Sequence, residues 1–303
     1  MHSSRRRALL QIHFCVVLWG FTAILGKLIA LAALPLVWWR MLLVSGALLL
    51  ARSFWRGLRS MSGRLVWIYA GIGVIVALHW LTFYGSVKLA NASVAATCMA
   101  LAPVFISFVE PVLTRRRFDA TEVAFGLAVI PGVATVVGGT PSGMRLGIAV
   151  GALSALFVAF FASLNKRYIG DSHALTVTGI EMGAGALFLT LAGVLVAPGA
   201  DMFALPTPRD ATLLVVLAVG CTLLPFALSL VALRQLSAFS ASLAVNLEPI
   251  YAILLAIVLL GEQRELAPTF YVGVAIILAV VFTHPLWTSR GDRRAHIEDA
   301  APR

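Results

Sequence analysis

Glu248 interrupts an otherwise apolar run, LAVNLEPIYAILLAIVLLGE, with a group that hydrocarbon surroundings penalise. A carboxyl there serves either to bind a substrate ammonium or carry a coupling proton, or to glue helices together as a neutral or paired group. Asn246 lies two residues earlier, with Ser242 one turn before it, and offers amide hydrogen bonds to a substrate. Tyr251 follows Glu248 by three residues and shares much of its helix face. His79, whose ordinary pKa lies near working pH, could relay a proton, bind a substrate or sit satisfied against a backbone carbonyl. Trp80 and Tyr84, at i and i+4, and Trp19 are candidates for cavity lining or for packing, and Glu181 is a further cavity candidate inside an apolar segment.

Lys27 and Arg40 fall near the outer ends of their apolar segments, where long side chains snorkel to the interface. A structural role is expected for both, with substrate-carboxylate binding or gating as the alternative. Glu110, shortly before Arg115, Arg116 and Arg117, is expected as an interfacial ion-pair partner.

Other chemistry is excluded by motif. The chain has no nucleotide-binding Gly-rich Lys loop, no His-Glu-x-x-His, no Gly-x-Ser-x-Gly and no paired acids at catalytic spacing, so no enzyme activity and no cofactor are expected. Any solute the chain moves would then have to be driven by gradients. Cys15, Cys98 and Cys221 are widely spaced within apolar segments and read as small buried hydrophobes, without disulfide or metal.

The elements that carry these residues are membrane helices. Apolar residues make up 60% of the 303 positions and charged residues 12%, with a mean hydropathy of +0.96. Ten apolar stretches are long enough to cross about 30 Å of hydrocarbon as helices: 8–30, 36–53, 65–87, 90–112, 119–138, 146–168, 174–197, 211–232, 236–260 and 268–287. Their helical period excludes a β-barrel. Residues 1–30 carry Arg5, Arg6 and Arg7 like a signal peptide, but the apolar stretch is too long and lacks a clean cleavage pattern, so it reads as a retained first span.

With the N-terminus inside, seventeen of the 23 basic residues fall on the cytoplasmic side and four, Lys88, Arg145, Arg209 and Arg264, on the other. That bias orients the chain with both termini cytoplasmic in the cell inner membrane. It also accounts for the net charge of +10 without nucleic acid, since the juxtamembrane arginines meet anionic lipid headgroups.

Depth then selects among the candidates. At about 1.5 Å per residue, Glu248 and Asn246 lie roughly 15–20 Å into their span, Trp19 about 16 Å and His79 and Trp80 about 22 Å. Pro103 and Pro249 fall equally deep, in spans running in opposite directions, and are expected as matched helix kinks.

Lys88–Val104 aligns without gaps on Arg234–Ile250 at an offset of 146, with Ala92/Ala238, Ala95/Ala241, Leu101/Leu247 and Pro103/Pro249 identical. Both copies occur at the fourth span of a five-span half. Five is odd, so the second half enters the membrane inverted, which is an arrangement used for alternating access around a midplane site. The expected organisation is a first repeat at 1–142, a second at 143–288 and a cytoplasmic tail at 289–303. Gly147-x-x-x-Gly151 and Gly179-x-x-x-Gly183 fit close helix contacts, within one chain or between two, so monomer and homodimer both stay open.

LWGFTAILGK in span one, HWLTFYGSVKLANASVAA across spans three and four, Pro103, and LEPIYAILLAIVLLGE ending at Glu262 together resemble the EamA-type branch of the drug/metabolite transporter superfamily over nearly the whole chain. The resemblance implies an all-α membrane protein of ten helices in two inverted five-helix EamA-like repeats, most often an exporter of amino acids or related small metabolites. Import of the same substrates, or a lipid-handling protein or membrane enzyme, is the alternative.

Overall fold

Where lipid is the solvent, a segment has to satisfy its own backbone N–H and C=O groups, and a helix does so along its whole length. The computed structural model describes residues 2–115, 117–118, 120–168, 170, 172–196, 201–203, 205–226, 228, 245 and 247–299, and every regular element among them is helical. The helices are α1 (His2–Leu28), α2 (Ala33–Leu49), α3 (Arg52–Ser60), α4 (Gly63–Leu89), α5 (Ala92–Met99), α6 (Ala102–Thr114), α7 (Ala120–Ala128), α8 (Ile130–Gly138), α9 (Arg145–Tyr168), α10 (Ala174–Val196), α11 (Pro208–Val215), α12 (Glu248–Leu255) and α13 (Pro268–Asp299). α11 runs on as a π-helix over Val216–Leu223, and α12 does so over Ala256–Leu260.

Among the described residues, six segments are long and apolar enough to cross a membrane: Arg6–Leu28, Gly63–Leu89, Ala92–Thr114, Ser142–Tyr168, Ala174–Leu195 and Pro208–Phe226. Ala124–Gly138, Glu248–Leu260 and Pro268–Thr283 are shorter apolar helices. The expected span 36–53 instead ends at Leu49, and the chain turns by 84° into α3. The arginines of α3 explain the turn, because charged side chains leave the hydrocarbon at the first opportunity.

Pro103 and Pro249, the expected kinks, occupy equivalent positions. Each stands in the first turn of a new helix, where a missing N–H costs no hydrogen bond. The two breaks match. Leu101 before α6 has φ −79° and ψ −15°, and Leu247 before α12 has φ −80° and ψ −14°. Phe105 N donates to Leu101 O and Tyr251 N to Leu247 O, each at 3.1 Å. The backbone thus repeats at the same offset of 146 that aligns the two sequences.

α4 lies at the centre and packs on α9 and α10; α2 also packs on α10, α1 on α12 and α8 on α13. Glycine sets how closely α9 approaches α4 and α5. A Cβ at Gly147 would come 2.6 Å from Ala90 Cβ, and one at Gly151 would come 2.7 Å from Cys98 Sγ. This small-residue pair therefore serves packing within the chain. Gly179 lies under the ring of Phe54, whereas Gly183 faces open space, so the second expected pair makes only half of its contact. The tight partner on α10 is Gly185 instead, which meets Gly73 of α4.

A carboxylate far along the chain caps α5. Glu262, 1% exposed, accepts from Ala92 N at 2.9 Å and Ser93 N at 2.8 Å, while Asn91 Oδ1 accepts from Val94 N at 3.0 Å. Asn91 Nδ2 in turn donates to Glu265 Oε2 at 3.0 Å. The first-turn donors of a helix have no intrahelical partner, and negative charge is favoured there. Asp210 makes a similar link by accepting from Ala30 N at 3.0 Å.

Removing the Glu262 carboxylate leaves two buried donors without partners, which costs about 3 kcal/mol. Glu262→Ala should lower the melting temperature in detergent by several degrees, and Glu262→Gln, which keeps one acceptor, should lower it less. Equal melting of all three proteins would contradict the capping role.

Candidate functional site

Arg40 does not reach the interface. It is 3% exposed, enclosed by side chains of α4 and by the π-helical continuation of α11. Its Nε donates to Thr222 Oγ1 and its Nη1 to Tyr84 Oη, both at 2.8 Å. Its guanidinium carbon lies 3.7 Å from the centroid of the Trp80 ring, in cation–π contact. Trp80 and Tyr84 are one turn apart on α4, so their i, i+4 spacing lets one helix face supply both the ring and the hydroxyl. Thr222 accepts from Arg40 while donating to Leu217 O, five residues back, at 2.9 Å, a reach set by the wide π-turn.

Glu248 opens α12 and faces a crevice where α1, α4, α5 and α12 meet. Trp19, Thr22, Phe83, Ala96 and Met99 line it with Glu248. The crevice is too narrow to hold a water-sized sphere, so a ligand requires the helices around it to move. Arg40 is not among the residues that line the crevice, and its bonds go to Thr222 and Tyr84. The Glu248 carboxyl forms no hydrogen bond or ion pair among the described residues. A buried cation and a carboxyl thus come from different segments and are not bonded to one another, with Trp80 against the first and Trp19 in the crevice of the second.

The other expected residues divide clearly. Trp19 lines the crevice and meets Phe226 edge to face at 6.2 Å. Tyr251 supports it from behind, its Cβ lying where a Cβ on Gly20 would approach to 3.1 Å. His79 is absent from the crevice lining: Ser154 Oγ sits 2.8 Å from both His79 Nδ1 and His79 O, and Phe83 and Phe161 flank the ring. Its satisfied state joins α4 to α9. Glu181, 2% exposed, also stands apart, with its Oε1 buried and without a hydrogen-bond partner among the described residues. Lys27 is exposed at the end of α1, as a snorkelling residue would be, and Glu110 pairs with Lys166 rather than with the arginines that follow it. Asn246 and Ser242 lie outside the described residues. Thr222 and Ser154 were absent from the expected site, since a lone hydroxyl in an apolar run carries no signal of its own.

The model of the EamA-like transporter family matches the chain twice, over residues 6–138 and 145–284. A solved protein crystal structure is similar to it with a TM-score of 0.62 and 19% identity, covering 96% of this chain and 99% of that one, which is likeness of fold. No curated protein matches.

If Arg40 is the hub, its two bonds depend on it. Tyr84→Phe should cost about 1–2 kcal/mol in denaturant unfolding and nearly nothing in an Arg40→Met background, whereas Thr222→Val, which also loses the bond to Leu217 O, should cost less there than in the wild type. Undiminished costs in that background would contradict the assignment.

Proposed function

The chain belongs to the EamA-like transporter family, and on that premise we propose that it exports amino acids or closely related metabolites through the inner membrane. The observation that carries this reading is that each matched segment places one ionisable group among the helices: Arg40, buried, in the first, and Glu248, at the crevice, in the second. An amino acid presents a carboxylate and an ammonium a few ångströms apart. Arg40 answers the carboxylate with a guanidinium that still has unused donors beyond its bonds to Thr222 and Tyr84. Glu248 answers the ammonium or carries a coupling proton. Trp19, Trp80 and Tyr84 give the site aromatic walls, and Asn246 and Tyr251, either side of Glu248 in sequence, belong to its surroundings.

In this reading ten helices cross the bilayer as two inverted repeats, 1–142 and 143–288, with both termini and the 289–303 tail in the cytoplasm. The matched positions Leu101 and Leu247 are where each repeat would bend in this reading. Rocking of one repeat against the other opens the crevice to one side at a time, driven by the gradient of substrate or of protons.

Counterflow in sealed liposomes tests the proposal. Saturable accumulation of a labelled amino acid is expected with the wild-type protein. A Glu248→Gln variant that melts like the wild type should lose about tenfold or more of that rate. Normal transport by the variant removes Glu248 from the site, and chemical change of the compound without movement replaces the transporter reading with an enzyme.

A further inference from the structure

α3 presents three arginines that have no bonded partner among the described residues. Arg52, Arg56 and Arg59 are exposed, and none makes an ion pair, hydrogen bond or ring contact among the described residues. Their spacing of i, i+4 and i+7 sets them on successive turns of one face. Trp55 stands beside them, 45% exposed, and its Nε1 donates to Leu49 O at 2.8 Å. The four residues border an open hollow of about 600 Å³.

The opposite face of α3 is fixed. Phe54, 5% exposed, packs on Gly179 of α10, and its carbonyl accepts from Thr176 Oγ1 at 3.3 Å. The helix therefore cannot roll to disperse its charges. Because α3 leaves α2 at 84°, it runs along the surface of any bilayer that α2 crosses. That puts an exposed indole and three guanidiniums at headgroup depth, the level at which Trp anchors and arginine meets lipid phosphate. Like charges on one helix face repel, and an anion seated among them removes the repulsion.

We propose that the Arg52, Arg56, Arg59 and Trp55 face of α3 is a binding site for an anionic phospholipid, which gives its phosphate to the guanidiniums and lays its glycerol region against the indole. Guanidinium forks match two phosphate oxygens at once. The same phosphate chemistry is available to free inorganic phosphate, but the hollow lies at a bilayer surface and the indole offers an apolar contact that phosphate alone cannot use. α3 follows α2, the helix of Arg40, after a two-residue turn, so a bound lipid steadies the end of a helix that reaches the central site.

The test is native mass spectrometry of the purified full-length protein with phosphatidylglycerol and with phosphatidylcholine of the same acyl chains. The wild type should retain phosphatidylglycerol preferentially. Arg52→Gln/Arg56→Gln/Arg59→Gln should weaken that retention on the order of a hundredfold. Arg115→Gln/Arg116→Gln/Arg117→Gln, which removes the same charge elsewhere, should leave it near the wild-type value. If the triple α3 variant fails to fold, Arg56→Gln alone should weaken retention about fivefold. Equal loss in the two triple variants, no loss in the α3 variants, or displacement of the lipid by millimolar inorganic phosphate would each overturn the proposal. Transport activity does not enter the readout.

Discussion

A polar group buried in a membrane protein has to find its partner inside the protein, because the surrounding solvent offers none. Arg40 is the sharpest instance. It places a guanidinium among apolar helices and keeps it there with a hydroxyl from the π-turn of α11, a phenol from α4 and the face of an indole. The wide turn at Thr222, the one-turn spacing of Trp80 and Tyr84, and the approach of α2 to both elements all follow from this need. Glu262 shows the same constraint at a helix end, where it supplies the acceptor that the first turn of α5 lacks.

These bonds share a direction. Arg40 to Thr222, Ala92 and Ser93 to Glu262, Ala30 to Asp210, and the His79–Ser154 contact each join the segment matched as the first repeat to the segment matched as the second. The halves are therefore held by a few specific polar contacts laid over close small-residue packing. Such contacts rearrange as units, which suits an interface with two arrangements better than a continuous apolar seam would. The halves are alike in backbone and unlike in chemistry: the residue before the helix-starting proline is Ala102 in one and Glu248 in the other. The crevice takes its carboxyl from the half that departs from the pattern.

Much of this was legible in the sequence, for physical reasons. Long apolar stretches dictate helices, and a proline at a fixed offset marks the matched breaks, although not that each proline begins a helix. Trp80 and Tyr84 were legible as one face because i and i+4 share it. Arg40 was not, since counting residues from a span end gives depth only for a straight, solitary helix, and here neighbouring elements close over it. His79 shows the converse. Its depth was apparent, but depth does not give rotation, and the ring turns toward Ser154 rather than the crevice. The capping role of Glu262 depends on a partner about 170 positions away in the chain, and so leaves no local trace.

The most direct test of a site that reads both ends of an amino acid is competition in counterflow, using whichever labelled amino acid moves. Its unlabelled form should compete fully, while its carboxamide, which lacks the anion for Arg40, and its N-acetyl derivative, which lacks the cation for Glu248, should each compete weakly. Full competition by either blocked compound would mean that the corresponding charge does not bind the substrate, and the paired-charge site would be wrong.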